Sequence, residues 1–423
     1  MNTSTNVKPF YDIVIIGAGI VGLSAALALS KQGFTIALVE AQRNPKQDYN
    51  DELHDTKVVA ITRASEHFFN YLNVWSSIVQ ARSCAYQHMT VWDNVLDGRI
   101  SFSAVDFFEK NLGHIIEQQV IVSALYKGLK EQQNVDYFFG KTVKHWHYHQ
   151  GLSTLILDED VVLMATLIIG ADGAKSKMRQ LCNIETLTLD YQQTAIVATV
   201  KGSETHGDTA YQRFDQDGPL AILPLSDKNL SSIVWTTTPE NASRLVNLTA
   251  NDFAKELMHQ INGVMGEMSL VSQRFLFPLA TQHAKQYVSE GCALVGDAAH
   301  TIHPLAGLGV NLGLLDVASL VEVLSCVKNN KALGELRVLK RYERTRKMHN
   351  QIMIWAMTLF KNGFGSELAL VQSLRNFGLN WVNKQVSVKQ LFAKMALGTL
   401  GPIPHLAKKP VQRMNDVKKD AFV

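Results

Sequence analysis

The stretch from Tyr11 to Glu40, YDIVIIGAGIVGLSAALALSKQGFTIALVE, decides how this chain folds. Ile13 to Ile16 is a short β-branched run of the kind found in buried parallel strands, and it leads directly into Gly17-Ala18-Gly19-Ile20-Val21-Gly22. Leu23, Leu27 and Leu29, with interleaved alanines, suit a helix packed tightly on a sheet and ending near Gly33. A second strand, Thr35 to Val39, then delivers Glu40. Each part has a mechanical reason. Gly17 allows the tight turn, Gly19 lets backbone approach a pyrophosphate, Gly22 lets helix and strand pack closely, and the first amides of the helix face the phosphates. Glu40 would accept hydrogen bonds from an adenosine ribose. A bare GxGxxG is weak, but the complete strand, turn, helix, strand and acid is a strong signature of a dinucleotide-binding unit.

Outward from that unit, the chain reads as an ordinary globular protein. Its 423 residues are 46% hydrophobic and 19% charged, enough for two or three lobes with a real core. Lys plus Arg total 41 against 38 Asp plus Glu, so no broad nucleic-acid footprint is expected. The one local excess of positive charge is KKPVQRMNDVKKDAFV at the C-terminus, a solvated tail or an attraction for anionic lipid or an acidic partner. Cys84, Cys182, Cys292 and Cys326 show no CxxC or metal-ligand spacing and read as buried thiols in a reducing compartment. MNTSTNVKPF lacks the features of a secretory signal, and no apolar run reaches about eighteen residues. A cytoplasmic protein is expected, with peripheral contact to the inner membrane left open.

The strand-then-glycine pattern recurs twice. Leu167 to Ile169 runs into Gly170-Ala171-Asp172-Gly173, where Asp172 could equally be a helix cap. Ala293 to Val295 runs into Gly296-Asp297-Ala298-Ala299-His300, which opens GDAAHTIHPLAGLGVNLG at 296 to 313. His300 and His303 are spaced as two metal ligands could be, but no third ligand cluster follows; no metal is expected, and both read as histidines that shape the loop. No second dinucleotide fingerprint appears. Between 186 and 279, segments such as TAIVATVKG and LSSIVWTTTPE are strand-rich with polar turns, and beyond 313 the chain turns helical.

Together these motifs resemble the class A flavoprotein aromatic hydroxylases, and within them the ubiquinone-biosynthesis hydroxylases of the UbiH, UbiF and VisC type. GxGxxG at 17 to 22, GADGA at 170 to 174 and GDAAHTIHPLAGxGxNLG at 296 to 313 look like that family's three flavin motifs in the same order. Smaller matches are VWD at 91 to 93, LGHIIE at 112 to 117, GPLAILPL at 218 to 225 and YERTRK at 342 to 347. The resemblance implies an α/β fold: a Rossmann-like FAD-binding domain with an inserted antiparallel β-sheet substrate domain and a helical C-terminal region. The expected division is 1-185 for the first part of the FAD-binding domain, with 80-100 contributing to the substrate side, 186-279 for the sheet, 280-340 for completion of the FAD-binding domain, and 341-423 for the helical region.

The resemblance also implies site residues. Gly17, Ala18, Gly19, Gly22, Glu40, Lys57, Gln118, Asp172 and Gly173 would hold FAD; so would Asp297, on the ribityl and phosphate side, and Pro304, Gly307, Leu308, Gly309, Val310 and Asn311, beside the isoalloxazine ring. Phe214, Leu223, Pro224 and Trp235 are candidates for the substrate wall, with plain core packing as the alternative. Two positions depart from the family's habit. Leu308 stands where glutamine is common, and Lys57 stands where arginine is common, keeping the charge but losing the bidentate fork. Gln118 can supply the amide that relatives direct at the flavin.

The implied chemistry is reduction of FAD by a transient NAD(P)H, capture of O2 as a C4a-hydroperoxide, and transfer of one oxygen to the ring of a polyprenylated phenol. No side chain is marked as a general base. A multi-enzyme ubiquinone-biosynthesis complex and a homo-oligomer are both open as partners. Two other readings stay open: a different FAD oxidoreductase or epoxidase on an apolar substrate, and a non-catalytic scaffold subunit.

Overall fold

The computed structural model describes residues 10–45, 47–49, 55–93, 99–302, 308–364, 398 and 401–409. A first sheet runs in the order Val288–Ser289, Cys292–Leu294, Val162–Gly170, Phe10–Ile16, Ile36–Glu40 and Val135–Phe139, with Leu152–Leu157 and Val143–His149 folded against the start of Val162–Gly170. The four central pairings, from Cys292–Leu294 across to Val135–Phe139, are parallel. Their register places Ile16 beside Gly170 and Gly170 beside Leu294. Three parallel neighbours therefore end on one edge, and the three glycine-containing loops that follow them meet there. The ladder continues into the loops: the Gly17 amide donates to the Val39 carbonyl at 2.8 Å, Ala171 to Ile16 at 2.8 Å, and Val295 to Gly170 at 3.0 Å.

The helix Ile20–Ser30 is buried along nearly its whole length, between Gln118–Lys130 and Leu308–Ser325. Its run of alanines is what lets three helices and a sheet come so close.

A second sheet, nine-stranded among the described residues, contains Thr186–Gly202, Thr209–Phe214, Pro219–Pro224, Leu230–Thr237 and Phe275–Ala284 at its centre. His88–Asp93 and Arg99–Ser103 extend one side, and His300–Thr301 closes the other. Because strand side chains alternate between faces, the sheet has two different sides. On one, Ile196, Leu220, Ile222, Ile233 and Trp235 pack under the helices Pro239–Asn247 and Ala250–Gln260. On the other, Ala195, Leu279, Val234 and Phe277 form one cluster, and Leu223, Leu225, Cys84 and Ile115 another that reaches the small third sheet of Val58–Ile61, Gly113–Glu117 and Cys84–Tyr86.

That alternation splits the four candidate wall residues. Phe214 pairs with Pro219 across the ladder and so shares the face of Leu223. Pro224 falls on the helix-covered face by alternation from Leu220 and Ile222. Trp235 packs against Phe253 there, ring centroids 5.8 Å apart. Pro224 and Trp235 are thus corrected from wall to core: two layers of helix and sheet bury them on the side away from Leu223.

The chain then forms Leu308–Ser325 and the long helix Leu336–Phe364. A short turn, His405–Ala407, docks back through the Leu406 amide, which donates to Glu322 at 2.7 Å. Among the described residues no helix is long and apolar enough to cross a membrane.

Candidate functional site

Gly17 has φ +102°, a conformation L side chains avoid, and a Cβ there would lie 2.4 Å from the Ala171 carbonyl oxygen. A Cβ on Gly22 would lie 1.9 Å from the carbonyl oxygen of Gly17. Gly19 is different: a Cβ added to it meets no atom of the described residues within 4 Å. Two glycines of the turn are thus required by the fold and the third by an open space beside it. Gly19 is also the N-cap of Ile20–Ser30, whose first turn receives no side-chain cap and holds no acidic residue. Elsewhere Thr62, Thr238 and Thr249 cap their helices with hydroxyls. An uncapped amide ring facing open space is what a pyrophosphate requires.

That space belongs to a cavity of about 840 Å3 lined by Gly17, Gly19, Glu40, Asp172 and Gly173, with the strand end Lys141–His145 as its far wall. Glu40 accepts from the Ala18 amide at 2.7 Å and, through its other oxygen, from the Gln42 amide at 3.0 Å. Each oxygen keeps a second lone pair for a ligand hydroxyl. The cradle therefore fits a dinucleotide, and the residues are those an FAD pyrophosphate and ribose would need.

Asp172 works first as a cap. Its oxygens accept from Ser176 Oγ at 2.5 Å and from the amides of Lys177 and Met178 at 2.7 and 3.0 Å, at the start of Lys177–Leu181. Arg179 of that helix is buried, donating to the Ala298 carbonyl at 2.8 Å and the Ala174 carbonyl at 2.7 Å. It ties the second loop to the third, a role its sequence neighbourhood of scattered cations did not reveal.

In the third loop, Asp297 is solvent-exposed on one side while surrounding protein and Asp316 push its carboxyl above the ordinary range, against the pull of His300. A Cβ on Gly309 would approach it at 3.9 Å. Val310 is half-buried against the core. Asn311 is buried and spends its amide on the Ala60 carbonyl at 2.7 Å and the Thr62 amide at 2.9 Å, pinning the helix Leu308–Ser325 to the small sheet. Pro304 and Gly307, like His303, lie outside the described residues, as does the side chain of Leu308. Lys57 and Gln118 meet at the seam between the sheets: the Gln118 amide donates to the Lys57 carbonyl at 2.8 Å, and Lys57 Nζ lies 5.3 Å from the Phe277 ring.

A polar group that sequence reading missed lies behind the third loop. His300 Nε2 contacts Asp316 at 2.5 Å, Arg346 Nε donates to the same carboxylate at 2.9 Å, and Asn350 joins at 3.0 Å. Asn350 also reaches the Tyr287 hydroxyl, which pairs with His283 at 2.9 Å. Burial, helped by His300 and Lys347, holds the His283 imidazole down to about 4, so it is neutral at neutral pH.

Another cluster, Cys84, His206 and Asp208, has the composition of a metal site. Its geometry is closed. His206 Nε2 faces two carbonyls, of Leu225 and Asp227, and so carries the proton, while Nδ1 accepts from the Asp208 amide at 3.1 Å. Lys228 Nζ occupies the cation position, 2.6 and 2.8 Å from the two Asp208 oxygens.

A parallel sheet delivering three glycine loops to one edge, an uncapped helix over an open cradle, and a second sheet swung across the seam define an FAD-dependent monooxygenase of the aromatic-hydroxylase fold. Residues 11–356 match the FAD binding domain family model, and the chain belongs to that family. It is 35% identical over 388 residues to 3-demethoxyubiquinol 3-hydroxylase of Escherichia coli (strain K12), covering 92% of this chain and 98% of that one. It is 33% identical over 438 residues to the mitochondrial ubiquinone biosynthesis monooxygenase COQ6 of Danio rerio, covering 92% and 90%. Among solved structures it resembles the p-nitrophenol 4-monooxygenase PnpA of Pseudomonas putida DLL-E4, with a TM-score of 0.75, 16% identity and coverage of 94% and 98%, a likeness of fold.

Proposed function

We propose that this chain hydroxylates the aromatic ring of a polyprenylated phenol in ubiquinone biosynthesis, with NAD(P)H as reductant and O2 as co-substrate. The observation that carries the reading is the full-length similarity to a demethoxyubiquinol hydroxylase, on a scaffold whose cradle fits FAD. Bound FAD supplies the oxygen-transfer chemistry. The chain's own work is placement and dryness. Gly17, Ala18, Gly19 and Gly22, with the first turn of Ile20–Ser30, hold the pyrophosphate. Glu40 holds the ribose, and Asp172 and Gly173 shape the cradle beside it. Asp297, Gly309 and Val310 approach the flavin end, with Lys57 and Gln118 at the seam. Phe214 and Leu223 contribute to the apolar wall that faces the substrate ring.

The polyprenyl tail places the substrate in a membrane, and the helix Leu336–Phe364 suits a peripheral contact there. Met348, Ile352 and Trp355 are 65%, 58% and 69% exposed along one side, preceded by exposed Arg341 and Arg344. Basic residues followed by an apolar stripe ending in tryptophan match an anionic membrane surface. A cytoplasmic enzyme working at the inner membrane, within a ubiquinone-biosynthesis assembly, follows from this reading.

The test is mass spectrometry of quinone-pathway intermediates in cells lacking the gene. Accumulation of a prenylphenol short of one ring hydroxyl, cleared when the gene is restored, is the expected result and names the carbon. An unchanged intermediate pool contradicts the substrate assignment.

A further inference from the structure

Asp316 lies inside the helix Leu308–Ser325, wholly buried, and its two oxygens face different parts of the fold. Oδ1 accepts from Arg346 Nε at 2.9 Å and Asn350 Nδ2 at 3.0 Å, both on Leu336–Phe364. Oδ2 accepts from His300 Nε2 at 2.5 Å and from the Gly296 amide at 3.2 Å. One carboxylate thus joins the C-terminal helix to both ends of the Gly296–His300 segment, and Asp297 sits between those ends. Arg346 is equally buried; its Nη2 donates to Asn350 Oδ1 at 2.9 Å and the Leu312 carbonyl at 3.5 Å, and its Nη1 contacts His349 Nδ1 at 3.3 Å.

Burial works against the Asp316 charge, but His300 and Arg346 outweigh it and hold the carboxyl down to about 2. Apolar side chains of similar volume would fasten these helices at no cost in desolvation. What the charged group adds is direction. His300 Nδ1 is buried with no hydrogen-bond partner among the described residues, so the ring takes its orientation from Asp316. The same helix also bears on the loops one turn earlier. A Cβ on Gly313 would lie 2.8 Å from Val21 Cγ2 and 3.1 Å from Gly296 Cα, so there is no slack between the helix, the first loop and the third.

We propose that Asp316, clamped by Arg346 and Asn350, is the positioning residue for the flavin end of the site. It sets the Gly296 backbone and the His300 ring, and through them the place at which Asp297 meets the cofactor. The inference rests on FAD being held by the three loops and does not depend on the identity of the phenol.

The test uses the full-length protein, stripped of FAD and titrated back. The readouts are the FAD dissociation constant from flavin fluorescence, the visible spectrum of the bound flavin, and the melting temperature of the apoprotein. Asp316→Asn is expected to raise the dissociation constant about tenfold or more and to alter the spectrum. In a His300→Gln background the same substitution should add less than it does alone, because the Asp316–His300 contact that both changes cut is already gone and the contacts to Gly296, Arg346 and Asn350 are what remain. Phe253→Leu, in the core of the second sheet, should lower the melting temperature and leave both flavin readouts unchanged. If Asp316→Asn does not fold, Arg346→Lys, which keeps the charge and loses the fork, is expected to weaken FAD by a smaller factor of the same kind. A lowered melting temperature with an unchanged FAD dissociation constant and spectrum overturns the proposal. So does full additivity of Asp316→Asn and His300→Gln.

Discussion

The first and third cofactor loops meet at one edge of the sheet, at the ends of Phe10–Ile16 and Cys292–Leu294, two parallel strands with Val162–Gly170 between them, yet they are held in opposite ways. The turn at Gly17–Gly22 is fixed by the absence of side chains: two glycines fit where no Cβ can, and the third faces open space. The turn at Gly296–His300 is fixed by a buried carboxylate and a guanidinium drawn from two helices farther along the chain, which meet the imidazole at the turn's own end. Close packing gives the first loop a rigidity that pH does not touch. Buried charge gives the third loop direction, and makes it sensitive to protons.

The largest effect should come from Gly22→Ala. Its Cβ has nowhere to go but into the Gly17 carbonyl, so the purified protein should carry almost no flavin by visible absorbance; a normal flavin-to-protein ratio would show that the turn is soft. Next is Trp235→Ala, which empties a packed site under two helices. A loss of about 3–5 kcal/mol in denaturant unfolding is expected, with KM for the phenol unchanged, whereas Leu223→Ala on the other face should move KM. If Trp235→Ala alone changes KM, the two faces of the second sheet are assigned the wrong way round.

Acid should then separate the two loops. Folded His283 titrates near 4 because burial, with His300 and Lys347, disfavours its charge, against Asp316, and the unfolded chain titrates near 6.5. The unfolded state therefore binds the extra proton between those values, and stability falls as pH drops through that window, by on the order of 3 kcal/mol. Asp316 adds a further loss at lower pH, since its contribution is present above about 3.8 and disappears as pH falls through about 2. His283→Gln should flatten the upper part of the stability profile; an unchanged slope would mean that another group carries it. The smallest effect on the fold belongs to Gly19→Ala. Apoprotein melting should stay where it is, while FAD binding weakens about tenfold as the methyl takes the pyrophosphate's place. A lowered apoprotein melting temperature would contradict the open cradle.

The same contrast explains what could be read from the sequence. The first loop was legible because every determinant lies within 30 residues: strand, glycine spacing, helix and Glu40 follow one another along the chain. The pairing that brings Gly170 and Gly296 beside Gly17 follows from repeating one strand-to-glycine pattern in a parallel sheet. Asp316 was not legible, since a lone aspartate in an apolar helix carries no local pattern, and its partners stand 16 and 30 positions away. YERTRK at 342 to 347 marked the place without giving Arg346 a partner. Trp235 and Leu223 were put on one wall because both faces of that sheet are covered by apolar residues, and a pattern of period two does not say which face meets the flavin. Asn311, expected beside the ring, shows its side chain committed to the Ala60 carbonyl and the Thr62 amide.

The central claim is that this chain uses FAD to place an atom of O2 on a phenol ring. Its most direct test is turnover of the purified yellow protein with NADH or NADPH and a short-chain prenylphenol under ¹⁸O2, with the product examined by mass spectrometry. One ¹⁸O atom in each new ring hydroxyl is the expected result. A product hydroxyl that carries oxygen from water, or reductant consumption with no hydroxylated product from any prenylphenol supplied, would contradict it.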